Sequence, residues 1–302
     1  MTLNPHLPLV YHPNYSFNFD PKHRFVMSKF ANLYQHVKEL GLINDNLIQP
    51  RLGNPDDLEL VHCANYLDDL WHNNLNDKAL RRIGLPWSEP LIARTFTAPL
   101  GTLETARLAL KHGLACHLAG GTHHAHTDFG SGYCMVNDLA FTAQTLIQNQ
   151  EVTNILIFDL DVHQGDGTAA MLTHQPYAYT CSIHCEKNFP FRKSPSDLDI
   201  GLANNMQDDE YLGIVDDTLQ FLLKELTPDL VLYDAGVDVW QEDGLGKLDI
   251  SWQGIEKRDN LVIKRCIEHN TPVATVIGGG YDRDHVRLAK RHAIVIEQAA
   301  RF

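Results

Sequence analysis

The sequence predicts an α/β fold in which a central parallel β-sheet carries helices on both faces. Short apolar runs alternate with longer stretches whose apolar residues recur three and four apart, the pattern of strand, helix, strand. Such alternation builds a parallel sheet with crossover helices. The inner runs end repeatedly in glycines or in residues able to bind a ligand: GGTHH at 120–124, DLDVH at 159–163, SIH at 182–184, DAGVD at 234–238 and GGGY at 278–281. Ligands of open α/β sheets bind beyond the carboxyl ends of the strands, so this repetition points to one site on one sheet edge.

The elements follow in order. Residues 7–11 (LPLVY) read as a first strand, and 24–40 as a helix with Phe25, Phe30, Leu33, Val37 and Leu40 on one face. Residues 56–72 read as a second helix whose Leu58, Val61, Tyr66 and Leu67 belong to the core. Past Gly101 the alternation is regular. Helices are expected at 102–111, 138–148, 208–226, 252–268 and 286–301, and strands at 114–118, 154–160, 180–183, 229–233 and 272–277. Ser251 suits the N-cap of the fourth of these helices. No repeat, linker or low-complexity tract interrupts the chain, which reads as one domain over 1–302.

Composition narrows the function. The 302 residues are 44% hydrophobic and 21% charged, as in an ordinary globular protein. No apolar run approaches the roughly 20 residues that span a bilayer, so membrane insertion is not expected, and the first residues lack the marks of a signal peptide. The net charge of −13 argues against a nucleic-acid surface and is compatible with a cationic substrate. Six scattered cysteines without a CxxC pair read as reduced thiols of a cytoplasmic protein.

Chemistry concentrates at the strand ends. Asp159, Asp161 and His163 form D-x-D-x-H, and in extended chain the period of two puts all three on one face. Two carboxylates and an imidazole suit a divalent ion such as zinc, although the same spacing describes a strand end with solvated acids. Asp166 follows among flexible glycines. His123 and His124 are adjacent after a Gly-Gly turn; a histidine beside a metal-activated water can act as base or acid, and Asp159 and Asp166 are available to orient such rings. Asp238 or Asp234 can complete the metal set, and spacing alone does not choose between them. Tyr281, after three glycines, can donate to an oxyanion or simply pack in a turn. Metal, base, orienting acid and oxyanion donor together are the parts of metal-assisted amide hydrolysis.

The blocks GGTHHAHTDFGSGYCMVND, FDLDVHQGDG, DAGVD and GGGY resemble the signature of the histone deacetylase and acetylpolyamine amidohydrolase superfamily, in the family's order and across nearly the whole chain. The compact length and the stretches DDEYLGIVD, LGKLDISWQGIEKRD and PVATVIGGGYDRD look most similar to class IV deacetylases and their bacterial relatives. The resemblance implies the arginase–deacetylase fold, zinc (or ferrous iron in vivo) on Asp161, His163 and Asp238, His124 as general base with Asp166 behind it, His123 as an electrostatic partner backed by Asp159, and Tyr281 polarising the acyl carbonyl. It implies a structural potassium held by main-chain oxygens of Asp159, Asp161, His163 and Ile183, the Ser182 hydroxyl and the Asp159 side chain. Gly132 and Tyr133 would line a substrate tunnel, with Phe189 or Phe191 as the opposite wall. Thr122 stands where many members carry an aromatic, and no rim acid is legible in 81–100. The activity implied is hydrolysis of N-acyl-lysine in proteins or peptides, long acyl chains included. The alternatives are acetylpolyamine hydrolysis and an inactive relative that binds an acyl-amine or a partner. A two-manganese ureohydrolase fits less well, because Val239 follows DAGVD where a further bridging carboxylate is needed.

Overall fold

A computed structural model describes residues 3–302. Eight parallel strands form one sheet in the order β2-β1-β3-β8-β7-β4-β5-β6. They are β1 (Leu9–Val10), β2 (Leu47–Ile48), β3 (Leu114–His117), β4 (Ile155–Asp159), β5 (Ala178–Cys185), β6 (Leu198–Leu202), β7 (Leu230–Asp234) and β8 (Val273–Val276). The helices are α1 (Lys29–Glu39), α2 (Ala64–Trp71), α3 (Asp77–Ile83), α4 (Glu89–His112), α5 (Asp138–Gln148), α6 (Asp166–Leu172), α7 (Asp208–Leu226), α8 (Trp252–Glu268) and α9 (His285–Ala299).

The inner strands β3, β4, β7 and β8 are buried at every residue, because helices cover both faces. Helices α4, α5 and α6 pack in series, and so do α1, α9, α8 and α7. The chain leaves β3, places β4 three positions away and returns to fill the gap with β7 and β8. Four adjacent strand ends, β3-β8-β7-β4, therefore open on one side of the sheet. The ladder runs past the strands: Ala235 donates to the Val276 carbonyl (3.0 Å), Val237 to Gly279 (2.8 Å) and Leu160 to Asp234 (3.1 Å). Loop residues that face the site are thus held by sheet-like bonds.

Helices α5, α7 and α8 have the boundaries expected from the sequence, and Ser251 caps α8 by accepting from the Gly254 amide. Other elements differ. The helix expected over 24–40 begins at Lys29, because Phe25, Val26 and Met27 turn into the core first. The helix expected over 56–72 is a 3-10 turn (Pro55–Leu58) followed by α2; extended backbone at Cys63, whose amide bonds to the Thr127 carbonyl, separates them. The four core residues named there are buried all the same. The stretch 102–111 is only the second half of α4, which runs on through Pro99. Proline normally breaks a helix; here burial of Phe96, Ala98, Pro99 and Leu103 around it offsets the lost hydrogen bond. Strands β2 and β6 and helices α3 and α6 carry too little periodicity to be read in advance.

Two buried histidines make the fold sensitive to acid. His62 Nε2 accepts from the Asn137 amide (2.9 Å) and its Nδ1 faces the His126 carbonyl (3.0 Å), so the neutral ring is fully used. Burial pushes its pKa down to about 4. Burial likewise holds His117 at about 3, between the Tyr15 and Thr102 hydroxyls. An unfolded chain protonates both near about 6.5, so this stability is complete above that pH and is lost as pH falls towards the folded values. The melting temperature is expected to fall between about pH 6.5 and about pH 4, with a shallower slope in His62→Gln, whose amide can donate and accept in the same places. An identical slope in that variant would assign the acid sensitivity to other groups.

Candidate active site

Asp161 and His163 leave the end of β4, and Asp238 leaves the loop after β7. Register pairs Asp159 with Asp234, so the two loops start level and their side chains meet. His163 Nδ1 lies 3.0 Å from Asp161 Oδ1 and 3.1 Å from Asp238 Oδ2. Their exposures are 7%, 1% and 0%, so this is a buried acid–imidazole triad rather than a solvated strand end. The remaining carboxylate oxygens are fixed by main-chain amides: Val162 donates to Asp238 (2.9 Å) and Gly279 to Asp161 (2.6 Å). A Cβ on Gly279 would strike both carboxylates, which is why glycine stands there.

The donor set fits a divalent cation: one imidazole nitrogen and two carboxylates within ligating reach of one another. Electrostatics say the same. Burial opposes charge on His163, yet Asp161 and Asp238 outweigh it and raise the imidazole to about 10. The pocket thus favours positive charge where His163 Nδ1 meets the two acids. Asp234, the other candidate, does not join this triad. It lies behind, 3.9 Å from His123, and neither carboxylate oxygen has a hydrogen-bond partner among the described residues. Burial, then the nearby Asp159, raises its pKa well above the carboxylate range.

The two histidines of GGTHH sit in opposite surroundings with their rings 4.2 Å apart. His123 Nδ1 donates to Asp159 (2.7 Å) and His124 Nδ1 to Asp166 (2.6 Å). Burial works against a charged His123, but Asp159, Asp161 and Asp234 overcome it and hold the pKa well above the usual value. Burial and the charge on His123 push His124 down to about 4, against the pull of Asp166. His126, which the sequence did not single out, shares Asp166 at 3.2 Å and stacks on Phe129.

Tyr281 follows the glycines after β8 and joins His124 and His163 in lining two connected cavities. The inner one, of about 40 Å³, ends on Phe25, Phe30, Lys29, Arg94 and Thr122. The outer one, of about 390 Å³, opens to solvent. Between them stand Gly132, Tyr133 and Phe189. The Phe189 ring meets His124 edge-on at 4.9 Å, and Tyr133 tilts against Tyr281 at 5.8 Å. A side chain on Gly132, whose φ is +52°, would strike the His124 ring. Phe191 is 91% exposed at the mouth, so the inner wall is Phe189. Ser182 is the register partner of Asp159 on β5, and its hydroxyl lies 3.0 Å from His184; Ile183 beside it is buried.

Several residues that position the site are absent from the sequence reading. Asp138 accepts from the Gly121 and Thr122 amides and from the Thr122 and Thr102 hydroxyls, tying down the GGTHH loop. Asp243 accepts from the Tyr281 amide at 2.7 Å. Arg258, buried on α8 beside Asp259, donates to the carbonyls of Ala235 and Gly236 and so braces the loop that carries Asp238. Lys29 and Arg94 are buried at the foot, on the Gly278 and Tyr15 carbonyls. One signal was present: Lys29, Leu33 and Val37 are four apart, so a lysine stands on the apolar face of α1.

Comparison with known proteins agrees with this architecture. The family model described as "Histone deacetylase domain" matches residues 23–296. An uncharacterized protein of Picosynechococcus is 48% identical over 97% of this chain and 98% of its own length. Histone deacetylase 2 of Arabidopsis thaliana is 27% identical over 93% of this chain and 76% of its length. The acetoin utilization protein AcuC of Staphylococcus aureus is 26% identical over 87% of this chain and 74% of its length. The family match extends over most of the chain and takes in all the strand ends that build the pocket, so the chain belongs to the histone deacetylase family of amide hydrolases.

Proposed function

We propose that this protein hydrolyses the amide bond of N-acylated lysine in polypeptides, with a zinc ion on Asp161, His163 and Asp238. The observation that carries the reading is the meeting of that triad with the His124–Asp166 and His123–Asp159 pairs at one cavity also lined by Tyr281. When bound, the ion supplies Lewis acidity and lowers the pKa of water from about 15.7 to about 7.

The chain's own residues do the rest. Asp166 fixes the His124 tautomer, leaving Nε2 as the basic nitrogen. His124 is deprotonated at neutral pH, takes the proton of the attacking water and returns it to the leaving amine. His123, kept charged by its carboxylates, adds positive charge beside the reaction. The Tyr281 hydroxyl donates to the developing oxyanion, and the Asp243 bond to its amide keeps it in place. Gly132, Tyr133 and Phe189 enclose the lysine stem. Lys29 and Arg94 stand where the carboxylate product emerges at the foot.

A foot cavity of about 40 Å³ supports a short acyl group. The chain's place near class IV deacetylases rests on its sequence blocks and suggests long acyl chains as the contrast to assay. Hydrolysis of acylated polyamines is the weaker reading, because cations rather than acids line the mouth. We also place the structural potassium behind the Asp159–His163 loop, on the oxygens of Asp159, Asp161, His163, Ser182 and Ile183; the pairing of β4 with β5 supports that position. All six cysteines are free and five are buried, in keeping with a cytoplasmic setting.

Three outcomes are expected. On metal-loaded protein, acetyl-lysine peptides turn over faster than myristoyl-lysine peptides in a product-amine assay; the reverse order would refute the short-acyl reading. Tyr281→Phe lowers kcat by about 100-fold or more with zinc content unchanged, and near-normal turnover would remove Tyr281 from the chemistry. His124→Ala abolishes turnover while keeping zinc, whereas Asp238→Ala loses zinc by elemental analysis; zinc loss in the first variant would make His124 a ligand rather than a base.

A further inference from the structure

The mouth of the site carries a charge opposite to that of the chain. Net charge is −13, from 25 Lys and Arg against 38 Asp and Glu. Yet the outer cavity is lined by Arg81, Arg82, Lys187 and Lys247 and by no carboxylate. Arg82, Lys187 and Lys247 form no ion pair among the described residues, and Arg81 has only Asp77 at 3.9 Å, both exposed. The Lys247 ammonium donates to the Lys187 main-chain carbonyl at 2.6 Å, which holds the Lys247 charge at the rim next to Lys187.

The same charge continues beyond Tyr281. A second groove, of about 880 Å³, shares Leu245 and Tyr281 with the mouth and presents Lys22, Arg24 and Arg283. None of these three forms an ion pair among the described residues, while Arg287 is neutralised by Asp282 and Glu242. Eight of the chain's 25 Lys and Arg therefore surround the tunnel entrance. Apart from Arg287, which neutralises Asp282, and Arg82, whose guanidinium also stacks on the Phe129 ring at 4.5 Å, they are exposed and satisfy no buried acid among the described residues, and like charges held together repel. The arrangement is favourable when an anion lies across it.

We propose that the substrate is a polypeptide in which anionic residues flank the acylated lysine, the flanks lying over the mouth on one side and the second groove on the other. The inference rests on the hydrolase reading above and narrows it. The acyl-lysine enters between Tyr133 and Phe189, while negative flanks meet Arg82, Lys187 and Lys247 on one side and Arg24 and Arg283 on the other. A polyamine, cationic along its length, is repelled at the same rim. Aspartate or glutamate and phosphorylated side chains offer the same chemistry and are told apart by assay.

The test measures kcat/KM of the full-length zinc-loaded protein on four acetyl-lysine peptides of equal length, flanked by Glu, phosphoserine, Ser or Lys. At low salt the Glu or phosphoserine peptide is expected to exceed the Lys peptide by about tenfold or more. The gap should narrow as the screening length shortens from about 10 Å at 0.1 M towards about 3 Å at 1 M salt. Lys187→Glu with Lys247→Glu should invert the order of acidic and basic peptides, and Arg82→Glu, on a separate element, should shift it the same way if the double variant melts early. Equal rates on all four peptides, a preference for Lys flanks, or an order untouched by charge reversal overturns the proposal. Failure to cleave any acyl-peptide while the protein is folded and zinc-loaded sinks the hydrolase reading itself, and this proposal with it.

Discussion

Two carboxylates with almost no solvent, set about 3 Å from one imidazole nitrogen, are the constraint on which the site depends. Taking carboxylates out of water costs several kcal/mol each unless positive charge meets them. Asp161 and Asp238 are therefore tolerable only around a cation, and the raised His163 records that demand. Much of the surrounding structure serves the same end. Gly279 brings its amide to Asp161 without a side chain in the way, Val162 bonds Asp238, and Arg258 braces the Asp238 loop from the back of the sheet.

Around that centre the protein separates two chemically identical side chains. His123 and His124 are neighbours in sequence and in space, yet one is held charged and the other neutral. The difference lies in what faces them. His123 looks onto Asp159, Asp161 and Asp234, while among the described residues His124 pairs with Asp166 alone and stands beside an already charged ring. Environments that drive paired titratable groups apart assign them different roles. Asp234 lies against His123 and Asp159, within ligating reach of both, and not against the Asp161–His163–Asp238 triad.

Charge is also layered along the path of a substrate. The centre is acidic, with cations at the foot and at the mouth. The foot cations, Lys29 and Arg94, are buried and hydrogen-bonded to main-chain carbonyls, so they are held in place. The mouth cations are exposed to solvent, and their influence is long-ranged and sensitive to salt. A whole-chain charge of −13 conceals this division: as composition it is compatible with a cationic substrate, whereas the surface around the tunnel is basic.

The sequence by itself determined the parallel sheet, the inner strands and the strand ends that carry the site, because continuous apolar runs and helical periodicity are local signals. It also marked Asp159, Asp161, His163, His123, His124 and Tyr281, since these stand in short motifs directly after strands. Spacing alone left Asp238 and Asp234 open, because both follow the same strand; the family resemblance implied Asp238, and in the tertiary structure it is Asp238 that meets Asp161 and His163. The tertiary structure alone revealed Asp138, Asp243 and Arg258, whose hydrogen bonds run to loops 16 to 38 residues away. It extended α4 through Pro99 and split the helix of 56–72 at Cys63, where packing and one long-range hydrogen bond override propensity. The basic mouth belongs to the same class: its residues come from segments near 22, 82, 187, 247 and 283 that no local pattern connects, and folding brings their charges to one opening.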